Sequence, residues 1–179
     1  MDSANSLTFK SNILTRLQVK ETVLTLVLSV VIPFMVHLLP SYKGIPMGAI
    51  LMAMFFAPYI AVRYFKFHVA IIIGLFAPLL NHFLTGNPRT ELIPVLTFQL
   101  VVFILASKFF LHLKFYNHLN AIFAFLSAMI ASSLIIVILP STLPGASAGN
   151  FLTSSVVNSV PGLLLLGTLG YFINHKKMN

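Results

Sequence analysis

Gly74-Leu-Phe-Ala-Pro78-Leu-Leu-Asn81-His82-Phe-Leu-Thr85-Gly86-Asn87-Pro88 completes an apolar run that starts at residue 67. A helix rises about 1.5 Å per residue, so roughly 17–25 apolar residues cover the hydrocarbon core of a bilayer, and residues 67–84 suffice. The run then turns polar ahead of a Gly-Asn-Pro turn. Polar side chains at membrane depth are costly unless they are paired or face water, so Asn81, His82 and Thr85 mark a candidate site. Gly74, Pro78, Asn81 and Thr85 are four, three and four positions apart and share one helical face. Such a face suits the close approach of another helix or of a ligand.

The rest of the chain repeats the pattern. Of its 179 residues, 58% are hydrophobic and 8% charged, with a mean hydropathy of +0.97. A soluble domain is about half apolar and a quarter charged, so this composition is that of an integral membrane protein. Six apolar runs, 22–39, 46–62, 67–84, 92–110, 119–139 and 151–173, each approach spanning length. They predict an all-α integral membrane protein, a six-transmembrane-helix bundle forming one domain over 1–179. Residues 1–21 read as a basic cytoplasmic tail or a short surface-lying helix, 22–173 as the bundle, and 174–179 as a second cytoplasmic tail. The first run sits behind a basic segment as a secretory signal would. It is long, however, and ends in His37-Leu-Leu-Pro40 without a small-residue cleavage site, which favours a retained span.

Lys10, Arg16, Lys20, Arg63, Lys66, Lys108, Lys114, Lys176 and Lys177 fall on one side of this arrangement, against only Lys43 and Arg89 on the other. Basic loops are retained in the cytoplasm, so both termini are expected inside a prokaryotic cell membrane and residues 81–91 outside. The net charge of +8 has the same origin. Its cations punctuate apolar runs rather than forming a patch, so no nucleic acid is implied and the lipid bilayer is the surface they meet. The chain has no Cys, which removes disulfides and thiolate chemistry, and His37, His68, His112, His118 and His175 have no shared metal-ligand spacing.

Catalysis has little to work with. The acids are Asp2, Glu21 and Glu91 alone, none in mid-run, and no nucleophile, zinc or nucleotide-binding motif occurs. The expectation is no enzyme and no cofactor. An ion-driven carrier wants an ionisable group at mid-membrane, and the nearest polar residue in the fourth run is the neutral Gln99. Transport would therefore draw energy from a partner. Glu91, Val95 and Gln99 stack at four-residue intervals with Phe98 beside them, and Asn150, Ser154 and Asn158 do the same in the sixth run. Together with Asn81, His82 and Arg89, they are candidates for an outward pocket with amide donors, acceptors and an aromatic wall. Each has a packing alternative: Asn158 and Gln99 as interhelical hydrogen-bond partners, Arg89 and Glu91 as a solvated ion pair, His82 as an interfacial residue. Small-residue ridges at Ala124, Ala128 and Ser132, and more weakly at Thr25 and Ser29, favour close helix contact, while Pro161-Gly162 predicts a kink.

Six short helices, both ends inside, the segment G-x-x-A-P-L-L-x-x-x-x-T-G-x-P at 74–88 and a Pro-Gly in the last run resemble the substrate-binding S component of energy-coupling factor (ECF) vitamin transporters. The resemblance extends from about Pro46 through Gln99 and again around Pro161, with only 74–88 motif-like. It implies a membrane receptor that captures a vitamin or precursor from outside, with the loop between the first two helices as a lid. It also implies a transmembrane coupling subunit and two ATPase subunits as partners, docked in part through Thr25 and Ser29. Gln99 stands where similar members carry an acid, and Leu166 where they often carry Gln, which allows a different or less cationic ligand. Thr25-x-x-x-Ser29 only approximates the family's Ala-x-x-x-Ala docking face. The rival reading is a structural membrane protein of cell-envelope assembly, similar to the rod-shape-determining membrane subunit, with no ligand.

Overall fold

The structure, a computed structural model, describes the backbone of residues 2–113, 119–140, 145 and 147–175, and side chains over 19–113, 119–140, 145 and 147–173. It is all-helical among the described residues, apart from one isolated bridge between Tyr42 and Ile45. The helices are α1 (Asp2–His37), α2 (Met47–Ile50), α3 (Ala53–Tyr64), α4 (Phe67–Thr85), α5 (Ile93–His112, entered through a 3-10 turn at Thr90–Leu92), α6 (Asn120–Ile138), α7 (Ala148–Asn158) and α8 (Val160–His175). Five segments are long and apolar enough to cross a membrane: Val19–His37, Met47–Tyr64, Phe67–Thr85, Thr90–His112 and Asn120–Ile138. A sixth exists if α7 and α8, bent by 60° at their junction, count as one broken span.

Large apolar side chains are turned outward, as a lipid-facing surface requires: Phe83 is 74% exposed, Leu164 65% and Val137 64%. Without water to drive apolar burial, membrane helices associate through close packing and polar contacts, so the interior is built from small residues and a few rings. Ala70, Ala77, Ala121, Ala124 and Ala128 are fully buried. A Cβ placed on Gly74 would come within 2.6 Å of Ile104 Cδ1, which shows how closely α4 and α5 approach. Phe55 binds α3 to both neighbours, with its ring edge-on to Phe103 of α5 at 5.1 Å and to Phe125 of α6 at 5.2 Å.

Three elements differ from the sequence expectation. Helix α1 runs unbroken through residue 2 to residue 37, about 54 Å at the helical rise, so the segment expected as a tail continues the first span as helix. The second span is interrupted at Leu51–Met52, where Met52 adopts φ 55 and is 3% exposed. A non-glycine residue there costs on the order of 1–2 kcal/mol and persists only where its surroundings hold it. Gly162 packs closely against this junction: a Cβ added to it would lie 2.6 Å from the Leu51 carbonyl carbon and 2.8 Å from the Ile50 oxygen. The last break falls at Ser159, ahead of the expected kink at Pro161-Gly162. Pro161 occupies the first turn of α8, where its missing N–H has no intrahelical role to lose, and Gly162 lets two backbones touch.

Candidate functional site

Chain direction brings two groups of polar residues to opposite ends of the bundle. At one end α1 and α4 finish, α2 and α5 begin, and the loop 38–46 crosses over. Helix α4 stops there at Gly86, which takes φ 73 and donates its N–H to the His82 carbonyl at 2.8 Å. Glycine is suited to that left-handed cap position. Thr85 Oγ1 donates to the Asn81 carbonyl at 2.7 Å and accepts from Asn87 N–H at 3.2 Å. His82 Nδ1 lies 2.8 Å from the Pro88 carbonyl, which only accepts, so Nδ1 carries the proton and donates across the turn. Asn81 is fully buried, and its Nδ2 donates to the Ser29 carbonyl of α1 and to the Ala77 carbonyl, both at 2.8 Å. Its Oδ1 is buried without a partner.

Thr25 and Ser29 also face inward, 0% and 1% exposed, with hydroxyls bonded to the Glu21 and Leu26 carbonyls. As buried groups they offer no face to a docking partner. The outward side of α1 is Val23, Leu24, Val27, Val31, Phe34 and Met35.

The remaining sequence candidates are dispersed. Gln99 is 3% exposed and points its Nε2 at Met129 Sδ of α6, 3.8 Å away, a weak contact between α5 and α6. Phe98 beside it is half-buried. Arg89 and Glu91 are exposed on the turn that opens α5, with no ion pair between them. Asn150 is exposed and Asn158 half-buried on α7, a helix with no fully buried residue that packs chiefly on α6. No hydrogen bond joins any two of Asn81, His82, Arg89, Glu91, Gln99, Asn150 and Asn158.

A concave feature does lie at this end. Leu39, Pro40, Ser41 and Tyr42 of the first interhelical loop, Met47, Ile50 and Leu51 of the α2 turn, and Pro161 of α8 enclose an open groove of about 530 Å³. That volume is within the range of small-molecule sites. The walls are almost wholly apolar, and none of the sequence candidates lines them. Of the Pro161-Gly162 pair, Pro161 lines this groove, while Gly162 packs against Ile50 and Leu51, which also line it. Among the described residues no three His, Asp or Glu side chains group as metal ligands.

The second polar group, at the end where α3 and α5 finish and α6 begins, was not legible as a group in the sequence. Tyr59 donates its hydroxyl to Asn120 Oδ1 at 2.6 Å, joining α3 to the first residue of α6 with both side chains fully buried. Arg63 follows Tyr59 by one turn of α3, and its Nε is buried without a partner. Ser107 follows Phe103, whose ring is 6.3 Å from that of Tyr59, by one turn of α5, and its fully buried Oγ is also unpartnered. Asn120 Nδ2 is the third such atom. A buried polar group left unpaired costs roughly 1–3 kcal/mol, so three at one end call for an explanation. Isolated polar residues at 59, 107 and 120 in apolar runs were the available signal. Their convergence depends on which helices touch.

Comparison with protein-family models, with curated proteins and with solved structures gives no match to this chain.

Proposed function

We propose that this multi-pass membrane protein is the substrate-binding subunit of an ECF-type transporter, taking a vitamin or precursor into the groove beneath the loop between its first two spans. The groove carries this reading: it is of small-molecule size, opens at one end of the bundle, and is covered in part by Leu39–Tyr42, the segment with which the resemblance associates a lid. Its apolar walls favour a ligand with a substantial ring or aliphatic portion, with the Ser41 and Tyr42 hydroxyls as the polar groups at hand. With acids only at positions 2, 21 and 91, an external ATPase module is the energy source consistent with the chain. Uptake from outside follows if the positive-inside rule sets the orientation.

The test is thermal unfolding of detergent-purified protein against a panel of water-soluble vitamins and precursors, since a ligand bound only by the folded state raises stability by mass action. One compound should stabilise, and Tyr42→Ala with Met47→Ala should abolish its effect without lowering the ligand-free midpoint. A panel with no stabilising member, together with no ATPase subunits co-purifying from the native host, would sink the proposal. The rival structural role in envelope assembly is favoured by one observation: the hydrogen bonds of Asn81, His82 and Thr85 are made within the chain, as packing and turn closure require. Under that reading partners co-purify and no small molecule stabilises.

A further inference from the structure

At the end of the bundle opposite the groove, the spare side-chain hydrogen-bonding capacity among the described residues is mostly that of donors. Arg63 Nε and Asn120 Nδ2 can only donate, the Ser107 hydroxyl can donate, and all three atoms are buried and unpartnered. Tyr59 occupies the Asn120 Oδ1 acceptor, so this amide turns its donor side free. No described carboxylate pairs with Arg63, and the one acid near this end, Glu21, is in no ion pair. Residues 120–122 also open α6, so that its first backbone N–H groups, which have no acceptor within the helix, are aimed at the same end. A guanidinium with neutral donors on adjoining turns of neighbouring helices is suited to oxyanions of phosphate type.

The surroundings indicate where such a phosphate comes from. Lys66 and Lys108 add cationic charge at the same level, while Tyr64, Phe109 and Phe123 are 54%, 60% and 41% exposed on the flanks of α3, α5 and α6. A headgroup held by the donors would leave its acyl chains beside these rings.

We propose that Arg63, Ser107 and Asn120 form a phosphate-binding site at this end of the bundle, occupied by the headgroup phosphate of an anionic phospholipid or by free phosphate. The groove and its ligand are not involved, so the two proposals stand or fall separately.

Native mass spectrometry and thermal unfolding of the full chain in a neutral detergent, with phosphatidylglycerol, phosphatidylcholine or inorganic phosphate added, test it. Phosphatidylglycerol is expected to bind and stabilise in preference to phosphatidylcholine. Arg63→Gln should weaken this about tenfold or more, the scale of a lost charged hydrogen bond. Stabilisation by inorganic phosphate alone, lost in the same variant, would equally support the site and assign it to the free anion. Ser107→Ala removes one oxygen from a small buried residue and so spares the fold. It should weaken phosphatidylglycerol binding several-fold while leaving the lipid-free midpoint no lower. Equal binding of both lipids with no phosphate effect, or anionic-lipid binding unchanged in Arg63→Gln and Ser107→Ala, would overturn the proposal.

Discussion

The two ends of the bundle solve the same problem in opposite ways. Where α4 finishes, Asn81 gives both donors to backbone carbonyls, His82 and Thr85 close the following turn, and the only leftover atom of Asn81 is an acceptor. Where α3 finishes, Tyr59 bonds Asn120 and, among the described residues, three buried atoms able to donate are left over. The first end uses polarity to hold helices together. At the second, the polarity exceeds what its helices need. Interhelical hydrogen bonds in membranes contribute about 0.6–2 kcal/mol each, so the first arrangement explains itself energetically, whereas the second leaves buried atoms that the described helices do not pair.

The largest effect should come from the groove end, where packing is set by backbone contact. In Gly162→Ala the new methyl would meet Leu51 and Ile50 main-chain atoms that cannot rotate away. Overpacking of this kind costs typically ~1–3 kcal/mol, and the upper part of that range is expected. Gly74→Ala meets only the tip of Ile104 and should cost less. Unfolding midpoints in detergent followed by circular dichroism compare the two directly. Equal midpoints would mean that the α2–α3 junction yields to α8 and does not define a rigid groove.

Next in size is Asn81→Ala, which severs the α1–α4 clamp and should lower stability by about 1–1.5 kcal/mol with or without any small molecule. A loss seen only in a ligand's presence would instead return Asn81 to the binding site. Tyr59→Phe should cost about 1 kcal/mol by leaving Asn120 Oδ1 buried and unpaired. Removing both partners in Tyr59→Phe/Asn120→Leu should recover most of it, because two matched apolar replacements leave no orphan. A double variant no better than the single one would show that the amide has another essential partner.

Much of this fold is visible in the sequence because a spanning helix announces itself locally. The run at 67–84 differs from α4, Phe67–Thr85, by one residue, and 119–139 brackets α6, Asn120–Ile138. What fails locally is whatever depends on a neighbour. Met52 is left-handed at a junction against which Gly162 of α8 packs, and nothing near Met52 in the sequence foretells that. Ala124, Ala128 and Ser132 were readable as a packing ridge by their spacing, and all three are fully buried. Asn81 and Gln99 stood out as polar in apolar runs, but whether such a residue faces a cavity or a helix is a tertiary matter. Here Asn81 meets α1 and Gln99 meets α6. The Tyr59–Asn120 pair spans 61 positions, so neither residue signals the other.

The smallest effect discriminates most sharply, because its sign differs between the two kinds of buried hydroxyl. Ser107 and Ser132 are both fully buried on neighbouring helices, but Ser132 Oγ donates to the Ala128 carbonyl at 2.8 Å while Ser107 Oγ has no partner. Ser132→Ala removes a hydrogen bond and should lower stability by about 0.5 kcal/mol. Ser107→Ala removes an unpaired polar atom, so in lipid-free detergent it should leave stability unchanged or raise it by up to about 1 kcal/mol. Adding anionic phospholipid should reverse the order: the wild-type chain gains from the lipid, Ser132→Ala gains equally, and Ser107→Ala gains least. If Ser107→Ala instead loses as much as Ser132→Ala in the absence of lipid, its hydroxyl is already satisfied. This end of the bundle would then be as self-sufficient as the other.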